Sequence, residues 1–79
     1  MQVTILAFAQ AHDRLGFGER VIECAPTDTP RQILERIGER SVTEVTDGMR
    51  VAVDQEYASW DAPIGEAREI AVIPPVSGG

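Results

Sequence analysis

An α+β domain, a small β-sheet covered on one face by a single helix, is the fold class this sequence predicts. Three observations carry the prediction. Short β-rich segments bounded by turn residues recur along the 79 residues. One stretch alone, opening at Thr29-Pro30, has both a helix start signal and an apolar stripe at helical spacing. That helix has two strands before it and three after it, and a sheet with helices on one face is the layer arrangement this order favours.

The first strand is residues 2–9, Gln-Val-Thr-Ile-Leu-Ala-Phe-Ala. Its alternation is imperfect, so burial on much of both faces is expected. Residues 10–16 are small and polar and end in Leu15-Gly16, which suits a short helical turn closed by glycine. Arg20-Val21-Ile22-Glu23-Cys24 is the second strand, with Ile22 and Cys24 on one face by the period of two. Cys24 has two readings, a reactive thiol or a small buried hydrophobe, and the inward strand position favours the second.

Thr29 is the expected N-cap of the helix. Pro30 occupies the first helical position, where a missing N–H costs nothing, and Gln32 has capping-box spacing from Thr29. Ile33, Leu34 and Ile37 form the stripe that faces the sheet, leaving Arg31, Glu35 and Arg36 largely in water. Gly38 is the expected stop. Residues 39–48 are polar apart from Val42 and Val45 and end in the turn signal Asp47-Gly48.

Met49 to Val53 alternates cleanly, Asp54-Gln55 forms a tight turn, and Glu56 to Trp60 pairs back. Trp60 is expected to pack over this hairpin. Asp61-Ala62-Pro63-Ile64-Gly65 is a loop anchored by Ile64. Arg68 to Ile73 is the last strand, with Ile70 and Val72 inward. Pro74 and Pro75 have no N–H groups to donate, so the sheet should stop at Ile73. The domain is therefore expected to occupy residues 1–73, with residues 74–79 as an extended tail.

That tail, Pro74-Pro75-Val76-Ser77-Gly78-Gly79, combines a stiff stalk with a slender tip. Six extended residues span about 20 Å, and glycines at positions 78 and 79 let the backbone enter a channel too narrow for side chains. A frayed end is the alternative, as for any terminus. The two prolines favour presentation of the α-carboxylate to another protein.

Composition narrows the function. The net charge is −6, which disfavours nucleic acid or an anionic membrane as principal partner, since both demand clustered positive charge. All seven basic residues are arginine, so no lysine side chain of this chain can be modified. A single cysteine excludes an internal disulfide, and a single histidine leaves no Cys/His metal cluster. Neither a basic leader nor a long apolar span is visible, so a cytoplasmic protein is expected.

Taken together, the order of elements and the Gly-Gly ending resemble the ubiquitin-like β-grasp fold, a mixed sheet of four to five strands with one main helix across one face. More narrowly, the chain resembles the MoaD/ThiS family of sulfur carriers, and within it the molybdopterin branch. The resemblance runs nearly end to end. It rests on Phe8-Ala9, Thr29-Pro30-x-x-Ile33-Leu34, Val53-Asp54-Gln55-Glu56-Tyr57, Pro63-Ile64, and the segment from Glu69 through Pro74-Pro75-Val76-Ser77-Gly78-Gly79. Two departures stand out. His12-Asp13 replaces a frequent Arg-Glu, and Glu66-Ala67-Arg68-Glu69 replaces a glycine-containing turn. A positive φ at Ala67 would be costly, so a different turn geometry is expected.

The resemblance implies a chemistry. An ATP-dependent adenylating enzyme activates the Gly79 carboxylate, and a sulfurtransferase or cysteine desulfurase delivers persulfide sulfur in place of AMP. The resulting thiocarboxylate, presented through Gly78, donates sulfur to cyclic pyranopterin monophosphate. Donation is expected inside a molybdopterin synthase complex of two small and two large subunits. No cofactor or metal is expected on this chain, and the catalytic groups are expected on the large subunit. The same family also serves thiamine, cysteine and tRNA thiolation, and a ubiquitin-like protein modifier is a further alternative. Family resemblance also implies an apolar patch of Phe8, Tyr57 and Ile73 that docks on partners beside Pro74, Pro75, Val76 and Ser77. Plain core packing remains the alternative for Phe8. His12, Glu66 and Glu69 are read as solvated side chains.

Overall fold

The computed structural model describes residues 1–37 and 48–75. Strand β1 is Gln2–Ala7, helix α1 Gln10–Leu15, strand β2 Glu19–Glu23 and helix α2 Pro30–Ile37. Strands β3, β4 and β5 follow as Arg50–Val53, Glu56–Ala58 and Glu69–Ile73. They form one mixed sheet in the order β2-β1-β5-β3-β4. The first and last strands lie side by side and parallel, with Ile5 opposite Ile70 and Ala7 opposite Val72. All other pairings are antiparallel. The predicted helix stop at Gly38, Val42, Val45 and Asp47 lie outside the described residues.

Alternation sorts the side chains. Val3, Ile5 and Ala7 of β1, Ile70 and Val72 of β5 and Val51 of β3 are buried on one face, against Ile33 and Leu34 of α2 and Ala11 of α1. Burying each large aliphatic side chain contributes about 1.5–3 kcal/mol. Ile64 anchors its loop in this core as predicted, and Ile22, Cys24, Ile37 and Trp60 pack at its margin.

The start of α2 follows the capping box. Thr29 Oγ1 accepts from the Gln32 N–H at 3.2 Å, and Gln32 Oε1 accepts from the Thr29 N–H at 2.9 Å. Two helix-end donors are thereby satisfied reciprocally. Glu35 and Arg36 are exposed. Arg31 is less solvated than expected, because it forks onto Asp61 at 2.7 and 3.3 Å and ties the helix to the loop after β4. Gly16 closes α1 in the left-handed region, its N–H donating to His12 O at 2.9 Å.

Two turns form as the sequence expects, while the strand after the first is shorter than expected. The β3–β4 hairpin has positive φ at both Asp54 (49°) and Gln55 (71°), the two-residue turn whose twist matches the flanking strands. Pairing with β3 ends at Ala58 rather than Trp60. There the Ser59 hydroxyl accepts from the Asp61 N–H at 3.1 Å, while the Trp60 indole turns back and donates to Met49 O at 2.9 Å. Trp60 thus packs at the open end of the hairpin, against the core. Before β5, the left-handed residue is Gly65 (φ 64°), and Ala67 is buried with no positive φ. The turn without an internal glycine avoids strain by moving the unusual backbone two residues upstream.

Candidate functional site

The sheet face opposite the helix is where the predicted interface residues meet. Since Val51 and Val72 point into the core, their neighbours Arg50, Ala52, Ala71 and Ile73 point outward. Register then builds a row across the sheet: Leu6 opposite Ala71, Ala71 opposite Ala52, Ala52 opposite Tyr57. Ala52 and Ala71 are only 6% and 7% exposed, with larger side chains at the neighbouring positions of the row. The result is a shallow trough floored by alanine.

Tyr57 forms one wall and is 67% exposed. Arg50, paired in register with Ile73, holds its guanidinium carbon 5.5 Å from the Tyr57 ring centroid. Phe8 stands just past the end of β1 and is 50% exposed. Plain core packing is thereby excluded for Phe8. The parallel β1–β5 register, continued by one residue from Ala7 opposite Val72, brings position 8 level with Ile73. An exposed aromatic and aliphatic surface of this kind has the character of an interface centre.

The local backbone at Phe8 is unusual. Phe8 O accepts from the Ala11 N–H at 2.8 Å, closing a turn in which Ala9 has φ 47° and ψ −118°. Glycine is the ordinary residue for that conformation. Ala9 therefore carries local strain beside an exposed aromatic, and strain of this kind clusters at functional sites.

The root of the tail is held firmly. Strand β5 is hydrogen-bonded to β1 on one side and β3 on the other, with Ile70 and Val72 fully buried. It ends at Ile73, as the prolines require. Pro74 is half-buried and Pro75 exposed, so the chain leaves the sheet at a fixed place. Arg50, Tyr57, Ile73, Pro74 and Pro75 contribute to the walls of a surface cavity of about 450 Å³ at this exit. Val76, Ser77, Gly78 and Gly79 lie outside the described residues.

Asp54 braces the other end of β5, a role not visible in the sequence beyond its place in a tight turn. One carboxylate oxygen accepts from the Arg68 and Glu69 N–H groups at 2.9 and 3.1 Å, and the Asp54 N–H donates to Glu69 O at 2.9 Å. The turn that presents Tyr57 is thus locked to the strand that carries the tail.

Several other ionisable groups among the described residues make structural contacts. Asp28 is held below the usual carboxylate range chiefly by its hydrogen bond from Arg36 and also by the Ala25 N–H. Asp61 is likewise lowered by Arg31. Burial pushes the Cys24 thiol up, in keeping with its place at the core margin. His12 is exposed, with Nδ1 3.7 Å from Asp13. Among the described residues, no group of three or more His, Cys, Asp or Glu side chains could hold a metal ion. Among the same residues, no helix is long and apolar enough to cross a membrane.

A mixed sheet with parallel first and last strands at its centre, one helix packed across one face and a C-terminal segment leaving from the central strand defines a β-grasp, ubiquitin-like domain. The chain belongs to the ThiS family, whose model matches residues 5–79 and so runs through the last glycine. Over its whole length it is 37% identical to the molybdopterin synthase sulfur carrier subunit of Caenorhabditis briggsae, covering 99% of that relative. It is 30% identical to the subunit of the same name from Escherichia coli, covering 98% of this chain and 99% of the relative. In three dimensions it is similar to molybdopterin converting factor, subunit 1, of Pyrococcus furiosus, with a TM-score of 0.71 and 24% identity over 96% of this chain and 99% of that one. It is also similar to small archaeal modifier protein 1 of Haloferax volcanii, with a TM-score of 0.76 and 21% identity over both full lengths.

Proposed function

We propose that this protein is the sulfur-carrier subunit of a molybdopterin synthase and that the Gly79 carboxylate is its working group. The observation that carries the proposal is the family match through residue 79, joined to relatives of nearly equal length that bear that name. A carboxylate at neutral pH is ionised and a poor electrophile, so it must be activated before sulfur can be attached. An adenylating enzyme uses ATP to form the Gly79 acyl-adenylate, and the terminal sulfur of the donor's persulfide displaces AMP to give an acyl disulfide. A thiol then attacks the donor sulfur, forming a new disulfide with the donor and releasing Gly79 as a thiocarboxylate. The sulfur is a better nucleophile than the oxygen it replaces, so the tail becomes a group carrier.

The exposed patch beside the tail exit supports a docking role in this scheme. Phe8, Tyr57 and Ile73 form the apolar surface beside the exit, and Pro74-Pro75 stiffens the root of the tail. The large subunit receives the tail, supplies the acid, base and cationic groups, and directs sulfur to cyclic pyranopterin monophosphate. Each dithiolene takes two sulfurs and so consumes two loaded tails.

Reconstitution tests the proposal: the loaded protein, mixed with a molybdopterin synthase large subunit and the pterin precursor, should yield dithiolene product. Appending one residue after Gly79 should abolish the yield. Product formed equally well by the extended chain would refute the proposal, because a group transfer from the terminal carbonyl cannot survive a blocked terminus. A protein modifier would instead leave adducts on other proteins that vanish when Gly79 is deleted.

A further inference from the structure

Arg50 is the single cation among the outward-facing positions of the described strands, where the other charges are Glu19, Glu23 and Glu69. It stands on the tail side of the face, in register with Ile73, and it lines the cavity at the tail exit. Its guanidinium lies over the Tyr57 ring. No carboxylate among the described residues pairs with it, whereas Arg31 and Arg36 are each engaged by an aspartate. A guanidinium stacked on a ring keeps its in-plane N–H fork free, and that fork matches a carboxylate bidentately. Tyr57 thus stands beside the Arg50 guanidinium on an exposed face.

We propose that Arg50 is a specificity residue of the docking surface: the protein that receives the tail presents an Asp or Glu carboxylate to it, next to the apolar contact with Tyr57 and Ile73. The inference rests on the proposed function for the identity of that receiver, the large subunit. In a chain of net charge −6, an acidic partner surface would otherwise be repelled. A cation beside the tail exit reverses that bias locally, fixing the orientation in which the tail arrives. Lysine would supply the charge without the fork or the flat stacking surface.

The test measures the affinity of the full chain for the large subunit across ionic strengths, for wild type and for Arg50→Lys, Arg50→Ala and Arg50→Glu. The expected order is wild type, Lys, Ala, Glu, with Glu at least about tenfold weaker than wild type. The salt dependence seen in wild type should shrink in Ala. Reversing the facing acidic residue of the large subunit to Arg should restore Arg50→Glu. Equal affinities across the four proteins, or a loss in Ala matched by Glu with unchanged salt dependence, would overturn the inference. Urea melts of each variant separate this from misfolding, because Arg50 is exposed and its replacement should leave the midpoint close to wild type. Tyr57→Ala and Ile73→Ala in the same assay report on the apolar surface itself. A wild type that fails to bind the large subunit would refute both the proposed function and this inference, whereas wild-type binding indifferent to Arg50 would refute the inference alone.

Discussion

Replacing Asp54 with alanine should loosen the strand that carries the tail. The substitution removes the acceptor of two backbone N–H groups, those of Arg68 and Glu69, and leaves alanine at a φ of 49°. These bonds are at the surface, so each contributes at the low end of the usual range, about 0.5–1 kcal/mol. Alanine in the left-handed region adds about 1 kcal/mol, a cost that aspartate partly escapes. The sum is about 2–3 kcal/mol, or roughly 10–20 °C in Tm for a domain of this size. Asparagine keeps a carbonyl oxygen for both donors and tolerates the backbone, so Asp54→Asn should stay within about 0.5 kcal/mol of wild type. Glycine relieves the backbone but not the lost bonds and should fall between. Urea unfolding followed by fluorescence of the single tryptophan, Trp60, reads this order as shifts in midpoint at constant slope. If Asp54→Asn were as unstable as Asp54→Ala, or Asp54→Gly as stable as wild type, the bracing role of these two bonds would be refuted.

Other variants test neighbouring parts of the account. Thr29→Ala should cost about 1 kcal/mol by removing the Gln32 N–H acceptor, measured by the same melts. Ile70→Ala opens a cavity at a fully buried site and should cost about 2–5 kcal/mol. Against a total stability of about 4–12 kcal/mol for a chain of this length, that substitution brings the domain close to unfolding at 37 °C. Both Asp28 and Asp61 have folded-state pKa values lowered by arginine partners, so their stabilisation is fully present above the ordinary carboxylate pKa of about 4 and is lost as pH falls through the lowered values. Asp28→Asn should therefore flatten the acid limb of a stability–pH curve below about pH 4 and leave its shape unchanged at pH 6–8.

Much of the fold was legible because it rests on local signals. Thr29, Pro30 and Gln32 announce a helix start whose two reciprocal bonds are both present, and the clean alternation of Met49 to Val53 predicts which side chains meet α2. The two prolines mark where β5 ends for a covalent reason that no tertiary context can reverse. Less legible were features set by contacts between distant segments. The strand order, with β1 parallel to β5, follows from no single stretch. Glu56 to Trp60 reads as a continuous strand, yet the indole reaches back to Met49 O and ends the pairing early. Arg31 and Asp61 are thirty positions apart and carry no mutual signal.

The candidate site was legible in the same uneven way. Tyr57 and Arg50 occupy outward positions by the period of two, a signal that could have linked them once the hairpin register was known. Phe8 was ambiguous because an aromatic at a strand end packs inward or outward with equal ease. Its exposure is decided by the turn at Ala9, whose positive φ is unannounced by any glycine. Asp54 looked like an ordinary turn residue, because its partners Arg68 and Glu69 approach only when β3 and β5 pair.

Gly79 itself provides the most direct test of the account. The protein should be isolated from cells competent for sulfur transfer, treated with a thiol-selective alkylating reagent near pH 6, and fragmented by mass spectrometry to localise the label. At that pH the Cys24 thiol, pushed up by burial, stays protonated and slow to react, whereas a terminal thiocarboxylate is ionised. Fragmentation is needed because exchange of oxygen for sulfur adds nearly the same mass as oxidation of Met1 or Met49. An alkylated sulfur on Gly79 is the predicted result. A Gly79 that remains a plain carboxylate, in cells where an established carrier is found loaded, would contradict the claim that this chain carries sulfur.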